Sequence, residues 1–204
     1  MRLFTKTLLA TAALAAMPMA ANAESQFVSG TGNASAHLDF QVTVPRILFL
    51  QVGTGADGTT NPAIDQISFL VPAASLGNGT AVAATAASGD VGNGTVTAKV
   101  MGNNGTITFT STTPGALGNG AGDSISYSQI NTTVAPLTSA TPLGHPALAD
   151  GATTTLTLAP ASGKLVQRDA QWTYAYANSA VVAPGTYGGV NTNNSRVTYT
   201  AAMP

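Results

Sequence analysis

ASAHLDFQVTVPRILFLQVG, residues Ala34 to Gly53, contains two strand patterns that are separated by a proline. In the first pattern every second residue is apolar, which is typical of a strand with one buried face. These apolar positions are Ala36, Leu38, Phe40, Val42 and Val44. Pro45 lacks a backbone N–H and cannot continue a central ladder. The next residues, Ile47 to Val52, are apolar except for Gln51, which predicts a strand buried on both faces.

Seven further stretches show the alternation or the β-branched composition of strands. They are Ile64 to Val71, Thr95 to Met101, Thr106 to Thr112, Ser124 to Ile130, Thr153 to Ala159, Gln171 to Tyr176 and Arg196 to Ala202. No stretch has the 3.6-residue period of a helix, and only Ala81 to Ala87 could form a helical turn. The pattern therefore predicts an all-β, antiparallel sandwich or barrel.

Two connections carry signals of their own. Gly102-Asn103-Asn104-Gly105 lies between two alternating strands, which predicts a hairpin. Residues 134–151 contain three prolines and form the longest irregular stretch, which predicts a surface connection. Because no repeat or linker divides the chain, we expect one domain over residues 34–204, with 34–44 as a possible donor strand.

The first 33 residues predict export followed by a short polar lead. Arg2 and Lys6 precede a short apolar run, and Ala21-Asn22-Ala23 fits a small-x-small cleavage site. Residues 1–23 are therefore predicted to be a signal peptide, and residues 24–33 a flexible lead. The apolar run is shorter than the roughly 20 residues that a spanning helix needs, so we expect no membrane span after cleavage.

The composition excludes several classes of function. The chain has 204 residues, no cysteine and only 7% charged residues, so packing and strand pairing must hold the fold without disulfides. Removing Arg2 and Lys6 from the 7 Lys+Arg leaves 5 against 8 Asp+Glu, a net charge of −3. Such a chain lacks the basic footprint of a nucleic-acid-binding protein.

No residue pattern points to catalysis or to a cofactor. Gly53 to Gly58 matches G-x-G-x-x-G, but Thr59-Thr60-Asn61-Pro62 cannot open the helix that a dinucleotide site requires. Asp57, Asn61 and Asp65 lack the spacing of a calcium loop and are expected to lie in a solvated turn. Neither His37 nor His145 has a second ligand at metal-binding spacing. We therefore expect no catalytic residue, no cofactor and no metal site.

One aromatic row leaves two interpretations open. Trp172, Tyr174 and Tyr176 alternate with Thr173 and Ala175. An exposed row of this kind could bind sugar, whereas a buried row would pack in the core, as strand aromatics most often do.

The whole pattern resembles the subunits of bacterial chaperone–usher pili and their spore-coat-protein-U-like relatives. The features that carry the resemblance are the signal peptide, the segment Leu38 to Val44 followed at once by another strand, and the short Ile67-Ser68-Phe69 stretch. The turn Ala183-Pro184-Gly185-Thr186-Tyr187 and a last strand with Val197, Tyr199 and Ala201 complete it.

The resemblance implies an immunoglobulin-like sandwich that lacks one strand, which a neighbouring subunit's N-terminal strand supplies and a periplasmic chaperone supplies beforehand. By position, Ala36, Leu38, Phe40, Val42 and Val44 are the candidate donor residues. The implied partners are other pilin-like subunits, in a homo-polymer, together with a chaperone and an usher. The implied location is the periplasm in transit and then the cell surface.

Two alternatives stay open at the level of sequence. The donor-like segment could be given to a neighbour, or it could fold back into its own domain. The protein could also be a monomeric secreted β-sandwich that binds carbohydrate or another surface ligand through its loops or the Trp172 row. None of these functions is enzymatic.

The leader makes the first testable prediction. Signal peptidase should cleave after Ala23, because the small-x-small motif follows a short apolar core. N-terminal sequencing of the exported protein should begin at Glu24. A start within or before the apolar run would contradict this assignment.

Overall fold

The computed structural model describes residues 24–204, and the predicted signal peptide lies outside the described residues. The chain divides into two units between Val44 and Pro45. In the described part of the first unit, residues 24–44 belong to no strand and no helix. The predicted strand from Ala34 to Val44 is therefore not formed within the single chain, although its side chains alternate as a strand requires.

The second unit, Pro45–Pro204, is built from ten strands and two short 3₁₀ helices, Ala73–Ser75 and Tyr127–Gln129. The strands are β1 (Leu48–Val52), β2 (Val82–Ala83), β3 (Thr95–Gly102), β4 (Ile107–Thr112), β5 (Leu117–Gly118), β6 (Ser124–Ile125), β7 (Ile130–Pro136), β8 (Thr153–Leu158), β9 (Val166–Tyr176) and β10 (Thr198–Ala202). Every strand pair is antiparallel. The prediction of an all-β, antiparallel fold is confirmed.

Two main sheets form the body of this unit. In the first sheet β3 pairs with β1 on one side and β9 on the other, and β9 also pairs with β2 and β7. The second sheet has the order β10-β4-β8, and β5 with β6 forms a separate ribbon. The register places Trp172 of β9 opposite Val96 of β3 and opposite Val134 of β7, so the tryptophan occupies the middle of the first sheet.

The inward faces of the two sheets share one core, an arrangement consistent with a β-sandwich. Trp172 is 0% exposed and stacks against Phe109 of β4, with ring centroids 6.1 Å apart. Phe109 stacks in turn on Tyr199 of β10 at 6.1 Å. Around them lie the remaining members of the core cluster: Val96, Ala98, Val100, Ile107, Leu143, Leu158, Val166, Ala170 and Tyr174.

The predicted hairpin between β3 and β4 is wrong. The two strands belong to different sheets, so residues 103–106 cross from one sheet to the other. A hairpin and a crossing produce the same alternation, because each strand buries one face in either case. Gly102 makes the crossing tight: an added Cβ would lie 2.9 Å from Cδ1 of Ile107.

The connection between β7 and β8 is not a simple surface loop. Its residues remain outside regular structure from Leu137 to Ala152, yet Leu143 and Pro146 are fully buried. The carboxylate of Asp169 fixes its start by accepting hydrogen bonds from the backbone N–H groups of Thr138 and Ser139, both at 2.8 Å. Burial would raise the pKa of Asp169, but these hydrogen bonds and those from the two hydroxyls lower it to about 2.

Three smaller predictions also need correction. Ile64 to Val71 contributes only an isolated bridge, from Phe69 to Ala84. Ser124 to Ile130 is interrupted by a 3₁₀ turn, since the hydroxyl of Ser126 accepts a hydrogen bond from the backbone of Ser128. In the Ala81 to Ala87 stretch, Val82 and Ala83 form β2 rather than a helical turn, because pairing with β9 outweighs the weak helix propensity of so short a run.

The outer face of the second sheet is an uncharged array. Three rows of paired residues cross it: Thr198-Thr112-Thr153, Thr200-Thr110-Thr155 and Ala202-Thr108-Thr157. In the first row the hydroxyls of Thr112 and Thr153 lie 2.8 Å apart. β-Branched threonine suits a strand and keeps a hydroxyl in water, so this face is solvated without charge.

The central tryptophan gives a prediction about stability. Trp172→Ala should lower the free energy of unfolding by about 3–5 kcal/mol, because it leaves a cavity at the contact of the two sheets. The fluorescence emission of the native tryptophan should also be blue-shifted and should not change when sugars are added. Denaturant unfolding measures the first effect, and a near-neutral substitution would contradict the core assignment.

Candidate functional site

The residues that sequence reasoning tested for chemistry do not assemble into a reactive site. Asp57 pairs with Lys99 at 2.8 Å, and the carboxylate of Asp65 accepts hydrogen bonds from the backbone and hydroxyl of Thr54. No helix follows the Gly53 to Gly58 loop. Within residues 24–204, no three His, Cys, Asp or Glu side chains are grouped so that they could hold a metal ion.

The aromatic row of β9 is not available to a ligand. Trp172, Tyr174 and Tyr176 are all buried. The indole N–H of Trp172 donates a hydrogen bond to the carbonyl of Leu143 at 2.8 Å, so its polar atom is also satisfied inside the protein. A sugar would need an exposed platform, and this row does not provide one.

The feature that stands out is an open edge shared by the two sheets. β1 is the last strand of the first sheet and β10 is the last strand of the second. The two strands are neighbours and are not hydrogen-bonded to each other. We call the gap between them the β1/β10 gap. Because each strand is paired on one side only, backbone N–H and C=O groups face the gap without a strand partner.

The β1/β10 gap is lined by apolar side chains that the core only partly covers. Leu50 and Val52 come from β1, Tyr199 and Ala201 from β10, and Met203 follows β10. All five pack against the core cluster but keep part of their surface exposed. The two edge strands and the residue that follows β10 therefore place partly exposed apolar side chains beside unpaired backbone.

The side chains of the crossing turn close one end of the β1/β10 gap. Asn103 accepts a hydrogen bond from the N–H of Ile47 at 2.9 Å and donates one to the carbonyl of Pro45 at 2.7 Å. Asn104 donates to the carbonyl oxygen of Pro204, which also accepts from Arg46. The Asn-Asn pair therefore ties the beginning of β1 and the end of β10 to the same turn.

The first unit contains a segment whose alternate apolar side chains are exposed. Leu38, Phe40, Val42 and Val44 are 72–87% exposed, and Ala36 is exposed as well. Their backbone belongs to no strand. An alternating apolar segment is thus left in water with both its apolar face and its backbone groups unused.

A cluster of aromatic rings lies directly inside β10. Nε2 of His145 and the hydroxyl of Tyr199 are 2.7 Å apart, and the hydroxyls of Tyr199 and Tyr174 are 3.1 Å apart. The His145 ring meets Trp172 edge-on, with centroids 4.7 Å apart. Burial lowers the pKa of His145 to about 4 and raises that of Tyr174 to about 12.

Sequence reasoning examined His145 only as a metal ligand and did not predict its packing against the core, because its Leu-Gly-His-Pro context does not show that the loop enters the core. It also missed the roles of Asn103 and Asn104, which were interpreted only as turn residues. The neighbouring apolar Leu143 was the one signal that part of this loop could be buried.

Comparison with known proteins adds no family to these observations. No family model matches the chain, and neither the curated proteins nor the solved structures gave a match. Among residues 24–204, no helix is long and apolar enough to cross a membrane.

The role of the Asn103 side chain at the end of the β1/β10 gap can be tested. Asn103→Ala should destabilise the protein by about 1–3 kcal/mol, because it leaves the N–H of Ile47 and the carbonyl of Pro45 without their partner. Thermal or denaturant unfolding measures the change. Asn131→Ala is the matched control, because Asn131 is exposed on β7 and its loss should change stability by less than about 0.5 kcal/mol. Equal effects of the two substitutions would contradict a stabilising role of the Asn103 hydrogen bonds.

Proposed function

We propose that this protein is a non-enzymatic, exported structural subunit of a pilus or similar surface structure, and that it assembles by β-strand complementation. In this proposal the fold is an immunoglobulin-like sandwich short of one strand. Residues 36–44 of one copy fill the β1/β10 gap of the next copy, and a periplasmic chaperone and an usher act before assembly.

One observation supports the proposal: β1 and β10 are neighbouring edge strands, and residues 36–44 alternate as a strand does but belong to no strand. The β1/β10 gap offers unpaired backbone and half-covered apolar side chains. Residues 36–44 offer the matching features, with alternate apolar side chains exposed and no ladder of their own. In strand addition, main-chain hydrogen bonds supply affinity and alternate side chains supply specificity.

The dimensions and the energies agree with this mode of assembly. A strand of nine residues extends about 30 Å, enough to run past the whole of β10, whose five residues extend about 17 Å. Burying one Leu, Phe or Val side chain contributes roughly 1.5–3 kcal/mol. Four such side chains therefore offer up to about 6–12 kcal/mol before the costs of association are subtracted.

Donation to a neighbour is favoured over folding back by the chemistry of the junction. Folding back beside β1 would require a tight reversal at Pro45-Arg46. The two-residue turns that join antiparallel strands need positive φ at a central residue, and proline holds φ near −65°. No residue from Pro45 to Ile47 has a positive φ.

The carbohydrate-binding alternative has lost its principal support, because it relied on an exposed Trp172 row and that row is buried. The proposed role needs no cofactor and no catalytic residue. The few charges and the threonine face of the second sheet suit a subunit that is exposed to solvent in a surface fibre.

A competition experiment tests the proposal. Purified full-length protein should form ordered multimers that resist mild denaturant, and a synthetic peptide of residues 34–44 should bind and cap them. Phe40→Asp in the peptide should weaken its binding by more than 100-fold, because it places a charge against apolar side chains. Chain length measured by light scattering and peptide affinity measured by fluorescence anisotropy report the two effects.

The matched control is a Gln41→Asp peptide, which changes a residue on the opposite face of the same strand. It should bind within about threefold of the native peptide, since its carboxylate stays in water. A full-length monomer that neither polymerises nor binds the native peptide, with or without a chaperone, would end the proposal.

A further inference from the structure

His145 occupies an unusual place for an ionisable side chain. It belongs to the irregular connection between β7 and β8, and that connection carries it into the space between the two sheets. Its ring is packed edge-on against three aromatic rings, with centroid distances of 4.7 Å to Trp172, 5.5 Å to Tyr174 and 5.6 Å to Tyr199. Its only hydrogen bond to another side chain in the described residues is to the hydroxyl of Tyr199.

The neighbours of His145 can accommodate a neutral ring more easily than a charged one. The titratable groups that face it are the phenols of Tyr174, from β9, and Tyr199, from β10. Burial, followed by the neighbouring phenol of Tyr174, holds the pKa of Tyr199 well above its usual range, so this phenol is neutral at any pH of interest. Among residues 24–204, neither of the two ion pairs involves His145, so no carboxylate balances a proton on its ring.

Protonation costs stability because of charge burial and not because a hydrogen bond disappears. In the neutral state Tyr174 can donate to Tyr199 and Tyr199 to Nε2 of His145. If Nε2 carries the proton, the same chain can run in the opposite direction. The cost that remains is an unpaired positive charge on a ring that is partly withdrawn from water.

The sign of the pH effect follows from this environment. Burial lowers the pKa of His145 from 6.5 to about 4 in the folded protein. Between these values the unfolded chain binds a proton that the folded chain does not. Stability from this group is therefore complete above about pH 6.5, falls as the pH falls towards 4 and changes no further below that.

The His145 contact bears directly on the β1/β10 gap. β10 is hydrogen-bonded to a strand on one side only, through β4. β10 also contacts the core through the side chain of Tyr199, which packs against His145, Phe109 and Trp172. Tyr199 also lines the gap, so any movement that releases His145 from the aromatic cluster changes a wall of the strand-accepting position.

We propose that His145 makes the strand-accepting edge acid-sensitive: in mild acid the protonated ring leaves the aromatic cluster, β10 loosens, and the β1/β10 gap loses its donor strand. This inference rests on the proposed function and adds regulation to the same site. Assembly would then be favoured at neutral pH and weakened near pH 4.5.

The test compares the full-length protein with His145→Gln at pH 7 and pH 4.5. Glutamine can exchange a hydrogen bond with Tyr199 in either direction but cannot take up a proton. The probe is the peptide of residues 34–44 with blocked termini, His37→Gln and Asp39→Asn, which together remove its own titrating groups. Wild-type affinity for this peptide should fall by roughly 10- to 100-fold on acidification, and the variant's by less than threefold.

Hydrogen exchange gives a readout that is independent of the peptide. After correction for the chemical exchange rate, the amides of β10 should lose protection by roughly 10- to 100-fold between pH 6.5 and 4.5 in the wild type and keep it in His145→Gln. Asn131→Ala is the matched control, because Asn131 is exposed on β7 and belongs neither to β1 or β10 nor to residues 36–44. This control should lose protection as the wild type does.

The outcomes separate the two proposals. No peptide binding at pH 7 would overturn strand acceptance and, with it, acid control of that acceptance. Binding at pH 7 that persists at pH 4.5, or an acid loss that is equal in His145→Gln, would overturn acid control alone. If His145→Gln fails to fold, the imidazole resonances of His145 in the wild type decide: titration of this ring near pH 6.5 would overturn the proposal.

Discussion

An unpaired strand edge beside half-covered apolar side chains is the constraint on which the rest of this molecule depends. Backbone N–H and C=O groups at the edges of β1 and β10 need partners, and the five apolar side chains between them need cover. Residues 36–44 have the reverse problem, since they carry exposed apolar side chains and form no ladder. Strand exchange between copies, as proposed above, would give the edges of β1 and β10 a backbone partner and would cover the apolar face of residues 36–44.

The two sheets are held together without a disulfide, and Trp172 makes the central contact between them. Its indole lies between the two sheets, stacked on Phe109, and its N–H is bonded to the carbonyl of Leu143. The connection that contains Leu143 is fixed in turn by Asp169. Packing and hydrogen bonds therefore hold both sheets at a set distance, while Asn103 and Asn104 hold the ends of β1 and β10.

The low charge of the chain has a structural counterpart. Threonines take eight of the nine outward positions in the three rows of the second sheet. They satisfy strand propensity and hydration together, so the surface needs few ions. The same scarcity of charge leaves His145 without an ion pair in the described residues, and partial burial lowers the pKa of its ring, so protonation destabilises the folded state.

The sequence by itself determined the fold class, most of the long strands and the apolar face of residues 36–44, because period-2 alternation depends only on which side chains a strand buries. It could not determine which strands share a sheet, because the alternation of β3 and β4 fits a hairpin as well as a crossing. In the structure β3 pairs with β1 and β9, whereas β4 pairs with β8 and β10, so the chain crosses between the sheets. The burial of Leu143, the contact of His145 with Tyr199 and the double role of Asn103 were likewise decided only by tertiary structure. Each of these three features depends on contacts between residues that are distant along the chain, and a local sequence pattern does not show which distant residues meet. Strand pairing was also decided by tertiary structure: in the described residues β10 has one strand partner and residues 36–44 have none. The alternation of a strand does not specify which backbone pairs with it.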